Sequence, residues 1–226
     1  MESHGLVAIP SISRCVTDRR ITLAVAALGL WLAVADRASA ADDFEKAGER
    51  AEAELASGTR DIGTDFHLRD PSGRVRTLRD FAGKVVILYF GYTFCPDVCP
   101  TDLAQIARAV RDLGPLGRDV QPIFVTLDPA RDTPRALREY AASFHPRLLA
   151  LRGTEAETRR VAEAFKVTYR KVPRARAGYD IEHAAFTFVL DREGRYVDYL
   201  PPGTPAGRTA EVLREAIQAS APPPTS

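Results

Sequence analysis

The chain predicts an α/β domain on a mostly parallel sheet with an antiparallel edge. Three observations carry that expectation. The continuous apolar runs "KVVILYF" and "VQPIFVTL" read as strands buried on both faces. Segments with apolar residues at helical spacing alternate with them. Near the end, two strand-like runs joined by a short turn make a hairpin rather than another crossover. At 226 residues, 45% hydrophobic and 27% charged, the chain suffices for one ordinary core and is too short for two.

The elements follow in chain order. Arg14, Arg19 and Arg20 precede an apolar run from Ile21 to Ala35, and Ala38-Ser39-Ala40 supplies a small-x-small cleavage pattern. Residues 1–40 read as a signal peptide, with an N-terminal membrane anchor as the alternative. The run's fifteen residues fall short of the roughly twenty that span a bilayer. Residues 41–60, polar and rich in Ala and Glu, read as a linker, partly helical at most, without an apolar stripe to hold a helix to a core. The domain proper runs over 61–220, and residues 221–226, "APPPTS", are a disordered tail.

Within the domain, "TDFHLRD", the turn Pro71-Ser72-Gly73 and "RVRTLRD" form a short hairpin ahead of "KVVILYF". Leu103, Ile106, Ala107, Val110 and Leu113 recur at helical spacing and predict a helix over 100–113. After "VQPIFVTL", Asp132 or Thr133 caps a helix that opens on Pro134 and runs to about Ser143. "RLLAL" gives a third short strand. Thr154 and Glu157 form a capping box for a helix through Phe165. "HAAFTFVL" and "RYVDYL" flank the turn Asp191-Arg192-Glu193-Gly194 as a hairpin. Val212, Leu213, Ala216 and Ile217 mark the last helix.

Cleaved or anchored, the domain is expected outside the cytoplasm, in an oxidising compartment such as a bacterial periplasm. Cys15 then drops out with the leader, and Cys95 and Cys99 are the cysteines of the working domain. Loss of residues 1–40 removes four basic and three acidic residues and leaves 27 of each, a neutral body that argues against nucleic-acid binding.

The pair lies in "YFGYTFCPDVCP", between a buried strand and a helix, where open α/β sheets place their sites. Proline disfavours the α region in the residue before it, so Cys95 and Cys99 should both be extended, with Cys99 as N-cap and Pro100 as the first helical residue. Helix amides favour a thiolate there. Two sulfurs four positions apart can form a disulfide or share a metal ion, but not both at once. A structural zinc wants four protein ligands, and the processed chain offers two cysteines with His67, His145 and His183. Two thiolates and one imidazole suit copper better, the sulfurs for Cu(I) and the nitrogen for Cu(II). His183, expected at the start of the "HAAFTFVL" strand, is the best-placed imidazole. The sole methionine, Met1, excludes methionine-rich copper capture.

Three segments, "FGYTFCPDVCP", "VTLDPARDTP" and "IEHAAFTFVLDREGRYV", resemble in order the signatures of the Sco/SenC family of copper-binding cytochrome c oxidase assembly proteins. The resemblance implies a thioredoxin-like fold with helices on both faces of the sheet. It implies copper, as Cu(I) and Cu(II), held by Cys95, Cys99 and His183, with Asp128 as a neighbour of the metal. The implied partners are the copper-bearing subunit of cytochrome c oxidase or another copper chaperone, with a membrane tether open and the chain a monomer. This chain has Ala184 where many family members carry serine, which removes a hydrogen-bond donor but no ligand.

Plainer readings stand beside these. Cys95 and Cys99 could be a structural disulfide, although so short a loop gains little from cross-linking. As a redox pair they would make a thiol-disulfide oxidoreductase, which needs no His183. A peroxidase has only fold-level analogy behind it. Asp128 also reads as a turn residue and Asp132 as a helix cap. His67 and His145 read as surface residues, Phe90, Tyr92 and Phe94 as packing around the loop. The basic stretch "YRKVPRARAGY" reads as a solvated loop or a dock for an acidic partner.

Overall fold

The computed structural model describes residues 42–57, 62–63, 65–174 and 178–219; the signal-peptide or anchor segment and the tail lie outside them. By internal contacts the chain divides into Met1–Glu45 and Lys46–Ser226. Of the first unit only residues 42–45 are described, and they are helical.

The second unit is organised by β3 (Val85–Gly91), in which all seven residues are buried. A strand buried on both faces needs neighbours on both edges and cover above and below. On one edge β3 runs parallel to β4 (Val120–Thr126), which runs parallel to β5 (Leu149–Leu151). On the other it pairs antiparallel with β8 (Thr187–Leu190), which turns back into β9 (Tyr196–Leu200). The resulting order, β5-β4-β3-β8-β9, is a mixed sheet divided between parallel and antiparallel pairings. The hairpin of β1 (Leu68–Arg69) and β2 (Val75–Arg76) forms as expected.

Side chains alternate along β3, so its two faces meet different partners. Tyr89 stacks on Phe124, which meets Tyr140 of α3 (Pro134–Phe144), and the Tyr89 hydroxyl reaches Asp102 of α2 (Val98–Asp112). Phe90 points the other way, onto Phe165 at the end of α4 (Glu155–Ala164) and onto Phe188. Helices therefore cover both faces. The last helix, α5 (Ala206–Ala219), packs on α2. Thr154 and Glu157 make the capping box of α4, and Thr133, not Asp132, caps α3 by accepting the Ala136 N–H.

Three stretches differ from the sequence reading. In the second unit residues 46–56 are helical, α1, rather than a spacer: Ala51 is 7% and Leu55 2% exposed. Its inward positions in the second unit are Ala47, Gly48, Ala51 and Leu55, a stripe of mostly small residues that shows weakly in the sequence. The "YRKVPRARAGY" stretch is half of a second hairpin, β6 (Tyr169–Pro173) with β7 (Tyr179–His183), a separate two-stranded sheet. His183 therefore ends β7 rather than opening β8. His145 is 7% exposed rather than on the surface, its Nδ1 accepting the Arg147 N–H as the chain leaves α3.

Candidate metal centre

The site forms where β3 ends. Gly91 closes the strand, Tyr92 and Thr93 begin the loop, and α2 starts three residues beyond Cys95. Asp97 is the N-cap, so Val98, Cys99 and Pro100 fill the first turn, and Cys99 is helical rather than extended. Proline is tolerated there because first-turn amides have no intrahelical acceptor to lose. The shift changes which sulfur receives the helix's amides. The Cys99 N–H points at Cys95 Sγ, 3.4 Å away.

The loop is clamped from a distance. Asp132, with no exposed surface, accepts from the Thr93 N–H at 3.1 Å, from Thr93 Oγ1 at 2.6 Å and from Thr126 Oγ1 at 2.5 Å. Burial raises its carboxyl above the usual range, and these donors offset part of that cost. Asp132 thus ties the "DPARD" turn to the cysteine loop, a role that sequence reasoning missed because the partner is 39 residues away.

Cys95 and Cys99 are both free thiols; Cys95 is half-buried and Cys99 has no exposed surface. They are electrostatically unlike. The hydrogen bond from Cys99 holds the Cys95 thiol far below the ordinary range, helped by His183 and by the Asp97 and Cys99 amides. Cys99 is pushed up, first by its bond to Cys95 and then by burial. Of the two sulfurs, Cys95 is thus the one favoured as thiolate and Cys99 the one favoured as thiol. Because the thiolate is the nucleophile, iodoacetamide at neutral pH is expected to alkylate Cys95 about tenfold or more faster than Cys99. Peptide mass spectrometry over a time course reads the two rates; equal rates would contradict this assignment.

His183 arrives from 84 residues away and places Nε2 3.5 Å from Cys99 Sγ. Its Nδ1 is buried without a hydrogen-bond partner, and its ring meets Tyr92 edge-on with centroids 6.3 Å apart. In tetrahedral zinc sites, bonds of about 2.3 Å to a thiolate and about 2.0 Å to an imidazole separate the two donors by about 3.5 Å, a yardstick for sulfur and nitrogen sharing one ion. The observed distance fits a shared ion. Among the described residues no group of three His, Cys, Asp or Glu side chains is already gathered as a metal cluster. Cys99 and His183 are thus at contact distance with Cys95 alongside, short of a finished coordination shell.

Behind the pair, Asp102 accepts from the Gly203 N–H at 2.8 Å and from the Tyr89 hydroxyl at 3.3 Å, and burial raises its carboxyl. Asp128, also without exposed surface, has both oxygens engaged: Oδ1 accepts from the Tyr179 hydroxyl at 2.7 Å and Oδ2 from Arg131 Nε. Phe90 and Tyr92 pack in the core, whereas Phe94 is 53% exposed beside Cys95. His67 is exposed and lies outside this group. Among the described residues of the basic hairpin, Arg170 pairs with Glu182, Lys171 with Glu155 and Arg174 with Asp180.

Known proteins resemble this chain in sequence and fold. The family model described as SCO1/SenC covers residues 54–218. A SCO2-like protein of Rickettsia typhi is 37% identical over 159 residues, 68% of this chain and 76% of the relative. The mitochondrial protein SCO1 of Saccharomyces cerevisiae is 36% identical over 181 residues, 77% of this chain but only 61% of that longer protein. The structure of Bradyrhizobium japonicum ScoI with copper bound is 37% identical, covers 69% of this chain and 99% of that one, and superposes with a TM-score of 0.64. On this evidence of sequence and thioredoxin-like fold, the chain belongs to the SCO1/SenC family.

Proposed function

We propose that this chain carries one copper ion as cargo on Cys95, Cys99 and His183, and that it assists copper-centre assembly in cytochrome c oxidase. The observation that carries the reading is the 3.5 Å approach of His183 to a cysteine pair that is otherwise distant in sequence. Thiolates are soft donors suited to Cu(I), and an imidazole adds a donor suited to Cu(II). The copper-bound relative from Bradyrhizobium japonicum supports the choice of metal. The recipient is the copper-bearing subunit of the oxidase or another copper chaperone. The chain works as a monomer outside the cytoplasm, exported by its signal peptide or tethered to the membrane by it.

Anaerobic titration tests the reading. Fully reduced protein is expected to take up one Cu(I), and the disulfide form none, because oxidation removes both sulfur ligands. Equal uptake by the two forms would sink the proposal. The binding free energy of a structural zinc held by four donors, about 10–16 kcal/mol, is roughly 2.5–4 kcal/mol per donor, a scale for one ligand's share. His183→Ala is therefore expected to weaken Cu(II) about a hundredfold or more, and Cu(I), dominated by the thiolates, far less. Competition against a chelator of known affinity reads both.

The unlike thiols favour a second reading, a thiol-disulfide oxidoreductase. The half-buried Cys95 thiolate would attack a partner disulfide, forming a mixed disulfide and releasing one partner thiolate. Cys99, giving up its proton, would then attack Cys95 and release the second, leaving Cys95–Cys99 oxidised and the partner reduced. This activity should survive His183→Ala, whereas Cu(II) binding should not.

A further inference from the structure

Among the described residues, the β6–β7 hairpin that carries His183 pairs with no strand of the central sheet, so side chains seat it. We propose that Asp128, Arg131 and Tyr179 form a latch that docks this hairpin and so positions His183 over the two sulfurs. The proposal rests on His183 being a copper ligand, and it gives Asp128 a role through Tyr179 and Arg131 rather than at the metal.

The geometry is specific. Side chains two apart share a strand face, so Tyr179, Ile181 and His183 project together. Ile181 on that row is 4% exposed, which marks it as the face turned toward the body. At one end of the row the Tyr179 hydroxyl donates to Asp128, and Arg131 Nη1 donates to the Tyr179 carbonyl at 2.8 Å. At the other end is the imidazole. The Arg131 guanidinium carbon lies 3.8 Å from the Tyr179 ring centroid, 4.9 Å from that of Phe94 and 5.8 Å from that of Tyr92. A single cation therefore touches the hairpin and, through Phe94 and Tyr92, the loop that bears Cys95.

Other ties are weaker in kind. Arg170–Glu182 and Arg174–Asp180 are pairs between the two arms of the hairpin. Lys171–Glu155 reaches α4, but its side chains are 41% and 59% exposed, and exposed pairs hold little. The Asp128–Arg131 pair is shielded, with side-chain exposures of 0% and 23%. A buried, charge-assisted contact is the stronger constraint.

The test uses Tyr179→Phe, which deletes the hydroxyl donor and keeps the ring beneath Arg131, and Arg131→Lys, which keeps the charge but loses the planar stack and the forked donors. Cu(II) is titrated into each reduced protein, with chelator competition for affinity and electron paramagnetic resonance for nitrogen coupling. Each variant is expected to bind Cu(II) about tenfold more weakly, the effect of one charge-assisted hydrogen bond. Nitrogen coupling should diminish, while Cu(I) affinity and the melting temperature of the metal-free protein stay near wild type. In a His183→Ala background the latch substitutions should have no further effect. Wild-type Cu(II) affinity in both variants, with His183→Ala weakened, overturns the latch and leaves the ligand reading standing. An equal loss in the His183→Ala background also overturns it. Unchanged Cu(II) binding in His183→Ala removes the ligand reading, and the latch with it.

Discussion

Replacing Cys99 with serine is expected to lower Cu(I) affinity by about three orders of magnitude or more, beyond any substitution outside the cysteine pair. A donor's share of roughly 2.5–4 kcal/mol already amounts to about two to three decades. For Cu(I) the share is larger, because a hydroxyl is a hard, protonated replacement for a soft thiolate. Cys99 sits at the centre of the group: its sulfur faces His183, its N–H supports Cys95 and its side chain is fully enclosed. Serine there fits the volume and leaves the helix intact, so the loss belongs to the donor atom rather than to unfolding. Cys95→Ser should be nearly as damaging to copper, and it also removes the nucleophile. Chelator competition, with melting of the metal-free proteins as control, measures both. A tenfold effect or less from either serine would mean that the two sulfurs do not share the ion.

Much of this arrangement was legible in the residues. β3 and β4 announce themselves because strands buried on both faces read as nearly continuous apolar runs. The capping box at Thr154 and Glu157 and the Thr133-Pro134 pair mark helix starts by local hydrogen bonding, which sequence records directly. Cys95, Cys99 and His183 emerged from signature segments, and the structure draws them together.

What was illegible depends on tertiary context. β6 and β7 are half-exposed strands whose pairing is set across the hairpin, and neither holds an apolar run. Asp132 precedes a helix and looks like its cap, yet its carboxylate is taken by Thr93 and Thr126, and Thr133 does the capping. The preference of residues before proline for extended backbone misplaced the start of α2 by two residues, since Asp97 offered an earlier stop. That small shift matters chemically: it turns the helix amides toward Cys95 rather than Cys99.

Gly91→Ala is the second large effect expected, and it comes from space rather than from backbone freedom. An added Cβ would lie 2.9 Å from Cys99 Sγ and 3.1 Å from ring atoms of both Phe124 and Tyr89. Neither ring can retreat easily: both are fully buried, stacked on each other, and Tyr89 is held by Asp102. The sulfur is the softer neighbour, since it can rotate about its Cα–Cβ bond, but rotation carries it away from His183. Overpacking of this kind costs about 1–3 kcal/mol, roughly 3–10 °C of melting temperature for a domain of this size. Weaker copper binding should accompany the fall, about tenfold or more if the sulfur takes most of the displacement. Gly207→Ala is the matched control, because a Cβ there meets nothing within 4 Å and its helical position favours alanine. If Gly91→Ala melts and binds copper like the Gly207 variant, the strand end does not confine Cys99. A fall in stability with copper affinity intact would instead show that the rings yielded and the sulfur kept its place.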